Sequence, residues 1–276
     1  MIRPTSPYRH SVLRNLMFST FVLAFLFIAA CSSDDSPIQT EDPNSEEPNT
    51  DPIMLTDDFD GSGALIDWVT NNASALPETA RMEGRYRAEL TDNQNDVTLH
   101  FNGQQGRLDA KLVSFPFEFI ARNIGIGTLE DSQEAPAANG NPYIFSGVQV
   151  HVEDFNSINS SHVVVGHRGG TSFTIEGKNT LDGSSSVNDI GTNEAPDGRA
   201  DIRIVGNTDN TLTVYWQLPN LDFETADDNW TLYRDTGTLP GTAPSYGTDV
   251  YVGLITYAAG TTGVPFVGSC DAVQIK

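Results

Sequence analysis

From Met54 onward, apolar and polar side chains alternate with a period of two in short runs. Val97, Leu99 and Phe101 alternate with Thr98 and His100, and Leu108, Ala110 and Leu112 with Arg107, Asp109 and Lys111. Val148, Val150 and Val152 alternate with Gln149, His151 and Glu153. Phe115, Phe117 and Phe119, then Phe173 and Ile175, Ile202 and Ile204, and Leu212, Val214 and Trp216 continue the rhythm. A two-residue period turns one face of a strand to a core and the other to solvent or a groove. Clusters of Gly, Asn, Asp and Pro separate the runs, as turns do. Helical periodicity is weak throughout, and Ser62–Thr70 is the one helix candidate. Gly127–Pro142 and Leu181–Arg199 are polar and read as long loops, a length that in compact domains points to function or mobility. There is no internal repeat. The pattern predicts one all-β domain over residues 54–276, an antiparallel sandwich or barrel.

The first 30 residues follow different rules. Arg3, Arg9 and Arg14 form a basic front, and Leu16–Ala30 is apolar apart from Ser19 and Thr20. This core is shorter than the roughly 20 residues a spanning helix needs. A short apolar core behind a basic start reads as a signal peptide. It ends in Ile28-Ala29-Ala30-Cys31, which resembles the lipobox of bacterial lipoproteins. The resemblance implies cleavage before Cys31 and acylation of its thiol, palmitate included. Several acyl chains hold a protein firmly to a bilayer where one does not. Ser32, in place of an Asp after the cysteine, implies the outer membrane, with the domain facing the periplasm or the cell surface.

Residues 31–53 join anchor to domain. After the cysteine they are rich in Asp, Glu, Pro, Ser, Asn and Thr and lack aromatic residues. Such a segment buries too little apolar surface to offset its ordering entropy and reads as an extended, disordered acidic tether. Asp34-Asp35 is alternatively a short acidic export signal.

The 276 residues carry a formal charge of −22. Residues 1–30 hold three arginines and no acid, so their removal leaves 12 basic against 37 acidic residues, or −25. This field disfavours nucleic acid and anionic lipid headgroups, leaving the lipid anchor as the membrane contact. Of the two cysteines, Cys31 takes the lipid, so Cys270 has no disulfide partner. Cys270 reads as a small buried residue of the last strand, with a reactive thiol as the alternative.

Several segments resemble the concanavalin A-like lectin/glucanase jelly rolls. They are Leu55-Thr-Asp-Asp-Phe59-Asp60-Gly61 with Trp68, Ser146-Gly-Val-Gln-Val150, and Asp201-Ile-Arg203-Ile-Val205. Leu212-Thr-Val-Tyr215-Trp216 with Trp230, Val250-Tyr-Val-Gly253-Leu254, and Cys270-Asp271-Ala-Val-Gln-Ile275 follow. Their order implies a two-sheet antiparallel jelly-roll sandwich over residues 54–276, with first and last strands adjacent. It also implies a structural calcium at Asp58, Asp60 and Asp271, where carboxylates and loop carbonyls could supply oxygens. Solvated turn acids are the plainer reading of the same residues. No organic cofactor is indicated.

The retaining glucanases of that group carry Glu-x-Asp-x-x-Glu, whose carboxylates lie about 5 Å apart. Neither His151-Val-Glu153-Asp154 nor Glu224-Thr-Ala-Asp227 has this spacing. Arg87-Ala-Glu89-Leu90 and Gln149-Val-His151 are similar to two strands of alginate-lyase jelly rolls. The likeness implies β-elimination, with Arg87 and Gln149 neutralising a sugar carboxylate and His151 with a tyrosine moving the proton. The tyrosine strand of that family is missing, and Tyr215 or Tyr251 is left to stand in. His100, His151, His162 and His167 lack a regular metal spacing.

Aromatic faces stack on sugars, and amides and acids bind their hydroxyls. Tyr86, Gln149, His151, Tyr215, Trp230 and Tyr233 are the carbohydrate-binding candidates, while Trp68 and Trp216 sit in apolar register. The leading reading is a lectin-like lipoprotein that binds a glycan or polysaccharide without cleaving it. A polysaccharide lyase is the second reading, and a structural or adhesive surface protein the third.

Overall fold

The computed structural model describes residues 54–61, 66–73, 78–80, 84–90, 106–129, 131–132, 143–168, 173–190, 194–222, 227–259 and 265–276. The signal peptide, Cys31, the tether and the run Val97–Phe101 lie outside them.

In chain order the strands begin with β1 (Leu55–Asp57), β2 (Val69–Asn71), β3 (Glu78–Ala80), β4 (Tyr86–Leu90) and β5 (Arg107–Ser114). There follow β6 (Phe117–Gly127), β7 (Tyr143–Val152), β8 (Ser160–Arg168), β9 (Thr174–Leu181) and β10 (Ser184–Asp189). The chain ends with β11 (Arg199–Gly206), β12 (Leu212–Gln217), β13 (Thr231–Leu232), β14 (Asp249–Ala259), β15 (Phe266–Cys270) and β16 (Ala272–Ile275). Among the described residues there is no α-helix. The helix candidate at Ser62–Thr70 is corrected at its end, where Val69 and Thr70 begin β2.

Among the described residues, nine strands form one antiparallel sheet, ordered β13-β12-β11-β6-β15-β4-β3, with β16 between β6 and β1. Seven form the other, ordered β10-β9-β8-β7-β14-β5-β2. This is the expected jelly-roll sandwich. First and last strands are adjacent, Leu55 opposite Ile275 and Asp57 opposite Val273. Asn123 takes a left-handed φ of 49°, and the β6–β11 register slips between Ala200 and Ile202. That bulge bends β6. One half of β6 pairs with β15 at Gly125–Gly127, the other with β16 at Phe119–Arg122.

The core lies between the sheets. Val148 and Val150 of β7 pair with Leu254 and Val252 of β14, and all four are buried. Phe119 and Ile204 line the facing sheet, also fully buried. Each such side chain contributes about 1.5–3 kcal/mol of transfer free energy. Cys270 is in this core and free, as expected. Burial pushes its thiol pKa well up.

Two expectations change. Leu181–Arg199 is not one long loop. Asp182 and Gly183, at φ 49° and 78°, make a two-residue hairpin turn into the polar edge strand β10. Nor do Arg107 and Asp109 face water, for both are buried. Arg107 Nε donates to Asp109 Oδ2 at 2.9 Å, and Thr70 Oγ1 to Asp109 Oδ1 at 2.5 Å. Burial works against the Arg107 charge, but Asp109 outweighs it and raises the pKa. A buried charge of this kind is tolerated only when paired.

Candidate functional site

Alternation along β7 turns Val148 and Val150 inward and Gln149 and His151 outward. Cross-strand partners share a face, so one outward row runs Gly253–Gln149–His162–Lys178 across β14, β7, β8 and β9. The flanking rows place Tyr251 beside His151 and Ser160, and Gly147 beside Val164 and Glu176. Tyr257 and Phe145 form the next row.

These polar groups are deep. Gln149 is 1% exposed, His162 and Lys178 each 2%, and His151 and Glu176 each 3%. The Tyr257 ring is their hub. Phe145 and His162 each stack on it at 5.4 Å, Lys178 Nζ lies 5.7 Å from its centroid, and its hydroxyl reaches Glu176 Oε1 at 3.4 Å. Tyr143, Tyr251 and Phe155 are half-buried on the rim.

Gly147 and Gly253 flank Gln149, are buried, and bring no side chain to this face. A Cβ at Gly147 would sit 2.1 Å from Val163 O, and one at Gly253 2.0 Å from Asp109 O. Only glycine lets the strands approach so closely. Gln149 Oε1 accepts no hydrogen bond from a described residue. A buried amide oxygen left so costs about 1–3 kcal/mol, which a ligand donor would recover.

His151 is engaged differently. Its Nδ1 donates to Val152 O at 2.7 Å, and its ring packs on Phe155, which stacks on Tyr251 at 4.2 Å. Burial lowers its pKa, against hydrogen bonding to the Val152 and Ser157 backbone and the charge of Asp154. The ring is therefore neutral near pH 7 and anchored to the β7–β8 turn.

Gln149 and His151 thus share a face as the sequence predicts, with Tyr251 opposite His151. The other two members of the lyase quartet are elsewhere. Arg87 is on β4 and Tyr215 on β12, both in the nine-stranded sheet. Arg87 is paired with Glu89 at 2.6 Å. The four groups therefore cannot converge on one sugar. Tyr86 and Tyr233 are corrected outright as sugar platforms. Tyr86 is 1% exposed and donates to Asp109 Oδ2 at 2.7 Å, and Tyr233 is fully buried and donates to Asn188 O at 2.7 Å.

Tyr215 and Trp230 come together on the outer face of the nine-stranded sheet. Arg203 lies 4.9 Å from the Tyr215 centroid and 6.0 Å from that of Trp230. Beneath them Arg122 is bidentate to Asp228, at 2.6 and 2.9 Å, and also reaches Asp201 at 3.1 Å. Gln217 and Asn220 donate to the same Asp228 carboxylate, at 2.9 and 3.1 Å. Burial pushes Asp228 up, but the bonds from Arg122, Asn220 and Gln217 prevail and hold it well below the usual carboxylate range.

The three acids do not fit a calcium site. Asp58 and Asp60 are exposed, and Asp58 Oδ1 accepts the Asp60 N–H at 3.3 Å. Asp271 accepts from Arg85 Nε at 2.5 Å and from Asn123 Nδ2 at 2.7 Å, so its carboxylate is already neutralised. Among the described residues no group of three or more His, Cys, Asp or Glu is placed to hold a metal ion.

Sequence reading misses Glu176, Lys178 and Tyr257, and weighs His162 only as a metal ligand. Their signal was the outward register of Ser160–Gly166 and Thr174–Thr180, visible once those strands are aligned on Gln149.

No protein-family model and no curated protein sequence matches the chain. Solved structures do. The xylan β-1,4-xylosidase of Bacillus halodurans C-125 superposes with a TM-score of 0.50 at 14% identity, over 85% of this chain and 41% of that one. The two antiparallel sheets packed as a jelly-roll sandwich are thus a fold this chain shares with that protein. A bifunctional GH43-CE protein of Bacteroides eggerthii matches at TM-score 0.48 and 15% identity, over 80% of this chain and 25% of its own. The β-glucanase of Bacillus licheniformis matches at 0.45 and 9%, over 81% and 97%. The chain thus spans under half the length of the first two proteins.

Proposed function

We propose that this protein is a lipid-anchored, extracytoplasmic glycan-binding protein. Its ligand lies on the outer face of the seven-stranded sheet, over Gln149, His162 and Lys178. The observation that carries this reading is the buried Gln149 Oε1, without a donor among the described residues, beside Gly147 and Gly253, which bring no side chain to this face. A sugar hydroxyl supplies that donor, and the half-buried Tyr143 and Tyr251 offer apolar ring surface at the rim. The role is binding rather than cleavage. Glu176 is the one carboxylate in the central rows, and Arg87, the neutralising group of the lyase reading, is on the other sheet.

The anchor is Cys31. Its lipobox, the basic start and the acidic tether support attachment to the outer membrane, with the domain facing the periplasm or the cell surface.

A glycan array on the detergent-solubilised full chain, paired with ultraviolet detection of unsaturated sugars, tests the reading. Binding without product, lost in Gln149→Ala, is expected. Unsaturated or hydrolysed products, or binding indifferent to Gln149→Ala, would overturn it. Metabolic labelling with a palmitate analogue should tag the native chain and not Cys31→Ser.

A further inference from the structure

We infer a second sugar site, independent of the first, on the opposite sheet: a pocket at Trp230 that takes one neutral pyranose unit. The outward row Gln274–Ile120–Arg203–Tyr215 crosses β16, β6, β11 and β12. Beside it a pocket of about 300 Å³ opens, with Ile120 and Trp230 as apolar surface and Glu118, Arg203, Gln274 and Lys276 as polar lining. That volume is at the small end of ligand sites, suited to a single unit rather than a long stretch of chain.

Trp230 is held as a fixed platform. Its Nε1 donates to Asp228 Oδ2 at 3.2 Å, and the Arg122 guanidinium lies 5.3 Å from its centroid. Asp228 is itself locked by Arg122, Gln217 and Asn220. An aromatic ring whose polar edge is satisfied within the protein offers its face to the apolar side of a sugar without an ordering cost at binding.

The polar lining sets the ligand class. Glu118 Oε2 accepts from Arg203 at 2.9 Å, and Glu118 Oε1 pairs with Lys276 at 3.2 Å. With Arg122, Asp201 and Asp228 beneath, three cations face three carboxylates, which leaves little net field to recruit an anionic sugar. A carboxylate keeps lone pairs after two such bonds, so Glu118 can still accept hydroxyl protons. Arg203 Nε lacks an acceptor among the described residues, and the Gln274 amide lines the same pocket. Paired acceptors and donors around a ring platform match neutral hydroxyls.

Two sites on opposite sheets of one rigid sandwich cannot be filled by one short glycan. They would instead bridge two chains of a polysaccharide, with a gain set by effective concentration.

The test titrates the full chain in detergent with maltohexaose, cellohexaose and xylohexaose, read by calorimetry and by the three indole N–H resonances in nuclear magnetic resonance. With at least one of these sugars the Trp230 resonance, assigned from Trp230→Phe, should shift on binding. Gln274→Ala, a half-exposed position, should weaken this site about tenfold, equivalent to about 1.4 kcal/mol, while leaving the Gln149 site intact. Gln149→Ala should leave the Trp230 shift in place, so the two sites fail separately. An unmoved Trp230 resonance with all three sugars, or affinity unchanged in Gln274→Ala, overturns the second site.

Discussion

The Tyr86 hydroxyl, on the nine-stranded sheet, donates to Asp109 Oδ2, on the seven-stranded sheet, at 2.7 Å. The bond crosses the sandwich and ties the sheets at a buried acid that also holds Arg107 and Thr70. Tyr86→Phe should cost about 1–2 kcal/mol, since Asp109 keeps its other partners. That is roughly 3–6 °C in Tm for a domain of this size. Asp109→Ala strands the Arg107 charge and should cost about 3–5 kcal/mol. Urea denaturation of both variants gives the comparison, and equal losses would contradict the shared-acid account.

His151 and His167 should make the domain acid-sensitive in the histidine range. Both are buried with pKa values lowered, in each case first by burial. Neither ring nitrogen of His167 has a partner among the described residues. In the unfolded chain these rings titrate near 6.5, so below that pH the unfolded state binds more protons and folding stability falls. His167→Leu should flatten the decline between pH 7 and 5. Unfolding free energies across that interval, native against variant, provide the check.

Asp228 acts at lower pH. Its folded pKa is depressed, so its stabilisation is complete above the ordinary carboxylate range and is lost as pH falls through and below it. Asp228→Asn should be less stable than native at pH 6, and the gap should narrow as pH falls from 4 toward 2.5. A constant gap would mean that the carboxylate charge has no part in holding Trp230.

The Cys270 thiol should be inert in the folded chain. It is fully buried, its pKa is raised first by burial, and it contacts the Arg122 and Ala272 carbonyls at 3.3 Å. Iodoacetamide should label it in denaturant only, a result read by intact mass. Labelling at equal rates with and without denaturant would show that the strand opens freely.

The sandwich was legible because its cause is local. Val148 and Val150 alternate with Gln149 and His151, and that rhythm alone decides which side each takes. The Asp182-Gly183 pair is a turn signal of the same local kind, yet the pattern reads as loop through β10 because Ser184–Asp189 has few apolar residues for an edge strand to show. Polar residues turned inward were not legible. Arg107 and Asp109 sit two residues apart on one strand, but the Tyr86 bond that completes their burial forms only once the sheets stack. The lyase likeness failed for a related reason. Arg87 and His151 each match a motif locally, but sheet membership is a non-local property, and the strand order β15-β4-β3 takes Arg87 away from β7. Arg122 stands in outward register and is nevertheless buried, under Trp230 and Asp228, because a loop folds back over it.

The seam between β1 and β16 is where mechanical tension would enter the domain. A pull on the chain at Met54 meets only three rungs, Leu55, Thr56 and Asp57 against Ile275, Gln274 and Val273. Behind them Phe59 is wholly enclosed, packed on Trp68 and Tyr86 with ring centroids 6.2 and 5.8 Å away. The rungs can part and re-form while that plug stays seated. Tension applied there would then be absorbed at a border strand, with both outer faces of the sandwich keeping their shape.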